Sequence, residues 1–431
     1  MIWRPQTTRS KVMVALASIV ATLIVTLLVI NFSTGEKQIT QEIPRLYSAA
    51  DPQFQRSMGI MLGPQIVEGN KVEALLNGDQ IFPAMLKAIR GAKETINFET
   101  YIYWSEEIGL EFAEALSERA RAGVKVHVLL DWIGSMKISD KEIDAMRQAG
   151  VELHRYHKPI WWKLARLNNR THRKLLIVDG HVGFTGGVGI ADKWRGNAQD
   201  PEHWRDTHYR VEGPVVGQMQ AVFNDNWTKA TGAILDGANY FPALAARGGM
   251  PAQMFSSSPT GGSESMHLMY LMAITAARHT IHLSNSYFVP DELAVKALVA
   301  AAKRGVEVRI IVPGPHIDAE VVRVASRDRW GELLAAGVKI AEFQPTMYHV
   351  KGLIVDSLLV SVGSTNFDNR SFILNDEANL NVLDAGFAKQ QEAVFEDDWR
   401  HAKPFTLQQW QQRSWGEKVL GRLTDLFDGQ L

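Results

Sequence analysis

The chain has 431 residues, of which 46% are hydrophobic and 22% are charged, the composition of an ordinary globular protein. Its formal net charge is −1 at pH 7, whereas a dedicated nucleic-acid-binding protein is expected to carry a basic domain. The absence of cysteine excludes disulfide bonds, thiolate metal sites and a cysteine nucleophile. The length allows two domains or one large duplicated domain.

The N-terminal part of the chain contains an uncharged apolar run at residues 12–31, as long as the ~20 residues that a helix needs to cross a bilayer. The run is longer than the apolar region of a typical signal peptide, and no A-x-A-like cleavage site follows it. We therefore predict an uncleaved transmembrane helix. Basic residues in the preceding residues 1–11 predict a cytoplasmic N-terminus, which would put the body of the protein on the outer side of the membrane. Residues 32–65 are interpreted as a linker.

Alternating strands and helices repeat within the body of the chain. The first copy has predicted strands at residues 96–98 and 124–130, with a helix between them that Ser105 is expected to cap. The second copy has predicted strands at residues 281–283 and 306–312 around another helix. This alternation predicts crossover connections, mostly parallel strand pairing and an α/β fold.

The repeat divides the chain into two predicted halves. The first half covers residues 66–240 and the second covers residues 263–431. Residues 241–262, together with the Gly-, Ala-, Pro- and Ser-rich sequence just before them, are interpreted as the connection.

A segment just past the middle of the first half is basic and contains no acid between Leu153 and Val178. Tyr156, Trp161 and Trp162 lie among its cationic residues, a combination that suits an anionic lipid interface. A solvated basic loop and a nucleic-acid-binding segment are the alternatives. The cationic residues are Arg155, Lys158, Lys163, Arg166, Arg170, Arg173 and Lys174.

The C-terminus carries an amphipathic pattern, for which a surface helix that packs on its own domain is favoured over a helix that lies on the membrane. The apolar residues of this pattern are Trp410, Trp415, Leu420, Leu423 and Phe427.

One eight-residue pattern, HxKxxxxD, occurs in each half. The apolar run after each lysine predicts a short buried strand that turns at the aspartate. Side chains two positions apart share one face of a strand, so each His and Lys pair is predicted to line a site. Each aspartate is expected to brace the hairpin or to support the site from behind, and we group it with the catalytic motif. The residues are His172, Lys174 and Asp179 in the first half and His349, Lys351 and Asp356 in the second.

Two such motifs, each followed by a glycine motif seven residues after its aspartate, resemble the phospholipase D superfamily. The glycine motifs are Gly186-Gly187 and Gly363-Ser364-Thr365-Asn366. Within the superfamily, bacterial cardiolipin synthases are most similar, through the segments THRKLLIVDG, WRDTHYRVEGPVV, SNSYFVPDE and GSTNFDNRSFILNDEANL. The resemblance covers residues 97–399. It implies a duplicated phospholipase D-like fold, with two mixed β-sheet halves flanked by helices and one active site at their interface.

Two histidines and two lysines suit the cleavage of a phosphodiester. One neutral imidazole attacks phosphorus and forms a phosphohistidine, while the other protonates the leaving oxygen and later deprotonates the incoming alcohol. Lys174 and Lys351 would hold the nonbridging oxygens. This chemistry requires no metal and no cofactor.

Four further residues are predicted to support this chemistry. Asp206 and Glu377 could each orient an imidazole by accepting its second N–H, the alternative being a surface salt bridge. Asn366 and Ser364 are predicted to bind substrate phosphate. Gly189 occupies the position that corresponds to Asn366 in the first half, which predicts that the two histidines are not equivalent.

The resemblance implies a phosphatidyltransferase in the bacterial inner membrane that makes cardiolipin and glycerol from phosphatidylglycerol and a second phospholipid, with phosphatidylethanolamine as one candidate. A phospholipase D hydrolase and a membrane-anchored phosphodiesterase or nuclease remain as alternatives. The intact motifs argue against a binding protein that has lost catalysis. Phospholipids and the membrane are the expected partners, nucleic acid is not expected, and the sequence leaves the oligomeric state open.

Overall fold

The computed structural model describes residues 8–32, 39–157, 168–259 and 264–424. The helices in this part of the chain are α1 (Thr8–Phe32), α2 (Pro52–Leu62), α3 (Asn77–Gly91), α4 (Glu107–Arg121), α5 (Asp140–Gln148), α6 (Val215–Thr231), α7 (Ser265–Ala276), α8 (Glu292–Lys303), α9 (Glu320–Asp328), α10 (Trp330–Ala335), α11 (Ala385–Arg400), α12 (Leu407–Gln411) and α13 (Trp415–Thr424). A 3₁₀ turn covers Asp192–Trp194, and a π-helical turn covers Arg370–Leu374.

The strands of the first half are β1 (Val67–Leu76), β2 (Thr95–Thr100), β3 (Lys125–Asp131), β4 (Glu152–Tyr156), β5 (Arg170–Thr171), β6 (Leu175–Val178), β7 (Val182–Gly186) and β8 (Thr207–Glu212). The strands that follow are β9 (Met250–Ser257), β10 (Thr280–Asn285), β11 (Phe288–Val289), β12 (Glu307–Pro313), β13 (Lys339–Phe343), β14 (Lys351–Val355), β15 (Leu359–Gly363), β16 (Phe367–Asp368), β17 (Asn375–Leu383) and β18 (Ala402–Phe405).

A large mixed sheet runs through the body in the order β18-β13-β12-β10-β14-β15-β17-β9-β1-β8-β7-β6-β2-β3-β4, with β5 paired to β17, and β11 and β16 form a separate two-stranded sheet. The path from β4 inward to β1 has the same arrangement as the path from β13 inward to β9. In each half, one strand lies between a parallel and an antiparallel neighbour: β2 between β3 and β6, and β10 between β12 and β14. The predicted duplication is therefore present as a pseudo-twofold repeat.

The two halves join where β1 pairs antiparallel with β9. The two mixed β-sheet halves that the sequence predicts are present, and they are joined edge to edge into one continuous sheet. Strand β9 lies inside the predicted connection at residues 241–262, so that this segment is a central strand and not only a linker. Its sequence, MPAQMFSS, has little of the β-branched alternation that indicates a strand.

Residues 32–65 also contain more structure than a linker. Asp51 caps helix α2 by accepting the backbone N–H of Gln53, and proline stands at the start of the helix. Phe54 and Met58 of this helix are buried in the core of the second half. The segment therefore contributes to the folded body.

The apolar run at residues 12–31 lies within helix α1. Among the described residues, no helix has both the length and the apolarity required to cross a membrane. The transmembrane helix of the sequence analysis is thus not confirmed by the structure.

The helices near the C-terminus pack on the second half. The indole Nε1 of Trp410 donates to the carbonyl oxygen of Arg327 in α9 at 2.7 Å, and Arg413 pairs with Asp328 at 3.1 Å. This is the arrangement that the sequence analysis favours. Phe427 lies outside the described residues.

Candidate active site

The two HxKxxxxD motifs occupy equivalent places in the sheet, at the hairpin β6-β7 in the first half and at the hairpin β14-β15 in the second. Strands β6 and β14 begin at or just after the lysines and are buried, as the apolar runs predict. His172, Lys174 and His349 line one cavity of about 280 Å³. The Nζ atom of Lys351 lies 3.2 Å from each ring nitrogen of His349. The fold therefore brings both motifs into one site.

Each histidine is held by a carboxylate from the opposite half. The Nδ1 atom of His172 lies 2.9 Å from Oε1 of Glu377, and Nδ1 of His349 lies 2.7 Å from Oδ2 of Asp206. Backbone hydrogen bonds also connect each histidine to the opposite half. The N–H of His172 donates to the carbonyl of Asp376, and the N–H of His349 donates to the carbonyl of Arg205. The predicted orienting role of Asp206 and Glu377 has the required geometry, and both carboxylates are buried rather than in surface salt bridges.

Each of these carboxylates has a second hydrogen-bond donor, and the donors differ. The hydroxyl of Ser364 donates to Oε2 of Glu377 at 2.5 Å, whereas the indole Nε1 of Trp194 donates to Oδ2 of Asp206 at 3.0 Å. At the position equivalent to Ser364, the first half has Gly187. A Cβ atom there would lie 2.3 Å from Oδ1 of Asp206. Ser364 therefore lies behind Glu377 and does not line the cavity. Its predicted role in substrate binding would require it to line the cavity.

Burial sets the protonation of the histidines. It lowers the pKa of His172 and of His349 to about 4, with the neighbouring lysines adding to the effect and the carboxylates opposing it. Burial alone would raise the pKa of Glu377 and Asp206, but their contacts with histidine and lysine outweigh it and lower the pKa of both. At neutral pH each imidazole is therefore uncharged, donates Nδ1–H to an ionised carboxylate and keeps a lone pair on Nε2.

Burial also lowers the pKa of the two lysines, to about 7 for Lys174 and to about 8 for Lys351. The Nζ of Lys174 donates to the carbonyl of His172 at 2.7 Å. The Nζ of Lys351 donates to the carbonyl of His349 at 2.8 Å and to the hydroxyl of Ser286 at 2.6 Å. An anion in the cavity would favour the charged form of both amines.

Asn366 lines the cavity, as its predicted contact with phosphate requires. Its Oδ1 accepts the hydroxyl of Ser286 at 2.9 Å, which links it to Lys351. At the equivalent position in the first half, a Cβ on Gly189 would lie 3.1 Å from the ring of Trp194. The first half of the site therefore has the indole of Trp194 where the second half has the amide of Asn366. This agrees with the prediction that the two histidines are not equivalent.

The motif aspartates lie away from the cavity. Asp179 accepts the backbone N–H groups of Lys93, Glu94 and Thr95, all between 2.8 and 3.2 Å. Asp356 accepts those of residues 278–280 in the same way. Both stand at the hairpin turn with φ of 52°. Of the two expected uses, the structure supports bracing of the hairpin, and neither aspartate reaches the site.

Several residues of the cavity wall were not predicted as site residues from the sequence. The aromatic ones include Tyr101, whose ring centroid lies 5.2 Å from that of His172, and Trp194 and Trp204, which lie 5.3 and 5.4 Å from that of His349. The remaining ones are Ile102, Tyr287, Asp318, Asp368, Arg370 and Asn375, and Arg170 of the basic segment also lines the cavity. Five of the wall residues lie in segments that carry the resemblance, which is the signal that could have found them: Trp204, Tyr287, Asp368, Arg370 and Asn375.

Part of the basic segment before the first motif is interior. Tyr156, Arg173 and Lys174 are buried, so they do not form the predicted lipid-facing surface. Arg173 donates to the backbone carbonyls of Val222 and Ser257. The other aromatic and basic residues at positions 158–167 lie outside the described residues. Within the described ranges, no group of three or more His, Asp or Glu residues is arranged to hold a metal ion.

Comparisons with known proteins agree with this geometry. The family described as cardiolipin synthase, PLD-like domain, matches residues 85–227 and 270–399. Probable cardiolipin synthase YwiE from Bacillus subtilis is 35% identical over 365 residues, which cover 84% of this chain and 72% of that protein. Cardiolipin synthase A from Pseudomonas syringae is 36% identical over 343 residues, which cover 79% of this chain and 71% of that protein.

A solved structure shares the fold. The crystal structure of phosphatidylserine synthase from Haemophilus influenzae superposes with a TM-score of 0.68 at 13% identity, covering 88% of this chain and 100% of that one. At this identity the likeness describes the architecture alone.

Proposed function

The chain belongs to the cardiolipin synthase family of the phospholipase D superfamily, and from this premise we propose that it makes cardiolipin by transferring the phosphatidyl group of phosphatidylglycerol to a hydroxyl of a second phospholipid. The observation that carries the proposal is the pair of crossed contacts, His172 with Glu377 and His349 with Asp206, around one cavity. Two uncharged imidazoles facing one space supply both the nucleophile and the proton carrier that a double displacement needs.

In the first displacement, Nε2 of one histidine attacks the phosphorus atom of phosphatidylglycerol. The N–P bond forms as the bond from phosphorus to the glycerol oxygen breaks, and the second imidazole gives that oxygen its proton. The facing carboxylate stabilises the positive charge that develops on the attacking ring. Lys174, Lys351 and the amide of Asn366 would hold the nonbridging oxygens.

In the second displacement, the imidazole that gave up its proton takes one from the acceptor hydroxyl. The acceptor oxygen attacks the phosphohistidine, the P–O bond forms, and the N–P bond breaks to restore the first histidine. Protons and charges balance over the cycle, and the leaving glycerol and the entering acceptor use the same side of the phosphorus atom. Water in the acceptor position would instead give phosphatidic acid.

Proton transfer from the second imidazole requires its protonated form, although burial keeps the pKa of both rings at about 4 in the free site. The negative charge of a bound phosphodiester raises the pKa of a neighbouring imidazole. Binding of the substrate therefore helps to charge the histidine that acts as the acid.

We also propose that residues 12–31 anchor the enzyme in the bacterial inner membrane, with the catalytic body on the outer side. The uncharged sequence of this run and the basic residues before it support the proposal. Deletion of residues 1–38 is expected to move the protein from the membrane fraction to the soluble fraction. A protease added to intact spheroplasts should digest the body, and a body left uncut would overturn the proposed orientation.

The direct test of the reaction is mass spectrometry of lipids after incubation of the purified full chain with phosphatidylglycerol vesicles. Cardiolipin and free glycerol are the expected products, absent with His172→Ala and with His349→Ala. Vesicles that also contain phosphatidylethanolamine show whether that lipid is an acceptor. Phosphatidic acid as the main product would indicate a hydrolase, and no lipid turnover would favour the phosphodiesterase or nuclease alternative.

A further inference from the structure

The cavity is asymmetric around the two histidines. Beside His349 its wall is formed by the rings of Trp194 and Trp204. On the side of His172 the wall instead carries two guanidinium groups, those of Arg170 and Arg370. The pseudo-twofold repeat therefore does not extend to the charge of the walls.

The two arginines come from opposite halves and are brought together by strand pairing. Arg170 lies in β5, which pairs in parallel with β17 so that Arg170 is opposite Asn375. Arg370 lies in the π-helical turn that leads directly into β17. Its Nη2 donates to the carbonyl of Asn168 at 3.0 Å, two residues before Arg170. Burial lowers the pKa of Arg170. The negative charge of Asp131 opposes this effect, and the positive charge of Arg370 adds to it.

Of the described residues that line the cavity, none places a guanidinium group at the position that corresponds to Arg170 in the second half. Arg170 stands two residues before His172, and the residue two before His349 is Met347, which is fully buried. Both guanidinium groups line the cavity that contains the histidines, so an anion that enters the cavity can be bound by both.

Acidic groups also lie in or beside the cavity, and two of them, Asp131 and Asp368, interact electrostatically with the arginines. Asp318 accepts the hydroxyl of Tyr287 at 2.7 Å. Burial raises the pKa of Asp368 to about 7, which reduces its charge near neutral pH. Asp131, which is next to Arg170, has its carboxylate engaged by the backbone N–H groups of Ile133, Gly134 and Thr171.

We propose that Arg170 and Arg370 form a second phosphate subsite, which holds the phosphodiester of the acceptor phospholipid while its hydroxyl approaches the phosphohistidine. The inference rests on the proposed function, because the product of that reaction has two phosphodiesters joined by one glycerol. With the transferred phosphate at the histidines, the acceptor phosphate must lie one glycerol away. Arg170 and His172 are two residues apart, which spans about 7 Å along an extended chain. Guanidinium groups bind phosphate oxygens in pairs, so the subsite would select an anionic acceptor over a neutral alcohol.

The test measures acceptor choice rather than total activity. Full-length protein is given phosphatidylglycerol vesicles containing ethanol, so that cardiolipin and phosphatidylethanol form from the same donor. Arg170→Gln and Arg370→Gln should each lower the ratio of cardiolipin to phosphatidylethanol at least tenfold, with partial recovery in Arg170→Lys. Arg400→Gln, which removes an exposed arginine paired with Asp397, should leave the ratio unchanged.

A ratio that stays unchanged in both glutamine variants would overturn the subsite. An equal loss of both products would overturn it as well, since it would assign the arginines to the donor or to the structure of the site. If the wild-type enzyme forms phosphatidylethanol but no cardiolipin, the proposed function fails before the variants are compared.

A second arm identifies the source of the phosphate. Glycerol phosphate and glycerol are offered in turn as soluble acceptors to the wild-type enzyme and to both glutamine variants. A wild-type preference for glycerol phosphate that the variants lose would support a subsite that binds a free phosphate group. A preference for glycerol phosphate that the variants retain would argue against binding of this phosphate by Arg170 and Arg370.

Discussion

Glu377 in the second half of the chain holds the imidazole of His172 in the first half, with 2.9 Å between Oε1 and Nδ1. The reciprocal contact joins His349 to Asp206. Each of the two motif histidines thus depends on a carboxylate from the other half. The site exists only when β1 and β9 join the halves into one sheet.

Replacement of the orienting carboxylates should reduce turnover while the fold is kept. Glu377→Gln and Asp206→Asn preserve shape but lose the charge that stabilises an imidazolium, and an amide can select the wrong tautomer. We expect kcat for cardiolipin formation to fall by about 10²- to 10⁴-fold in each variant. Lipid mass spectrometry measures the effect, and circular dichroism confirms folding. Ser364→Ala, which removes only the second donor to Glu377, should cost less; a loss as large as that of Glu377→Gln would contradict this ranking.

Gly187 is expected to be essential for the position of Asp206. A Cβ at this residue would lie 2.3 Å from Oδ1 and 2.7 Å from Oδ2 of the carboxylate, so Gly187→Ala should displace it from His349. Activity should fall at least tenfold. The matched control is Gly217→Ala in α6, where the nearest atom to a new Cβ is 3.7 Å away. That change should leave activity intact and stabilise the helix by about 0.5–1 kcal/mol. Equal activity of the two variants would refute the steric argument.

Much of the site could be predicted from the sequence, because the HxKxxxxD motifs specify both residue type and strand parity. The crossing of Glu377 to His172 could not, since it depends on a tertiary contact between the halves. The same limit applies to Ser364, whose hydroxyl reaches Glu377 although its motif suggested phosphate. Composition assigned Arg170 to a basic segment with a lipid-facing role, whereas in the structure its side chain lies in the cavity wall.

The fold was predictable to a similar extent. The repeat of strands and helices follows from apolar periodicity, and β2, β3, β10 and β12 lie where it predicts them. Strand β9 was missed because a central position between β1 and β17 stabilises a sequence of low strand propensity.

The free energy of unfolding should depend on pH because of the two buried histidines. The pKa of His172 and His349 is about 4 in the folded protein, below the unfolded value of 6.5, so the unfolded chain binds protons first as the pH falls. Their contribution to stability is fully present above pH 6.5 and is lost between there and pH 4. The loss amounts to about 3 kcal/mol for each histidine. Chemical denaturation at a series of pH values should show a shallower decline for His349→Gln than for the wild type. An identical slope would mean that His349 is not buried in its neutral form.

The motif aspartates should prove to be structural. Asp356→Asn removes the charge that accepts the N–H groups of residues 278–280, while asparagine tolerates the positive φ of the turn. We expect a loss of about 1–3 kcal/mol in the free energy of unfolding, and the same for Asp179→Asn. Because neither aspartate reaches the cavity, kcat of the folded variants should stay within about twofold of the wild type, measured well below the unfolding temperature. Lys351→Gln provides the contrast, since it should abolish turnover without this loss of stability. A large fall in kcat for a stably folded Asp356→Asn would place the aspartate in the chemistry and not in the hairpin.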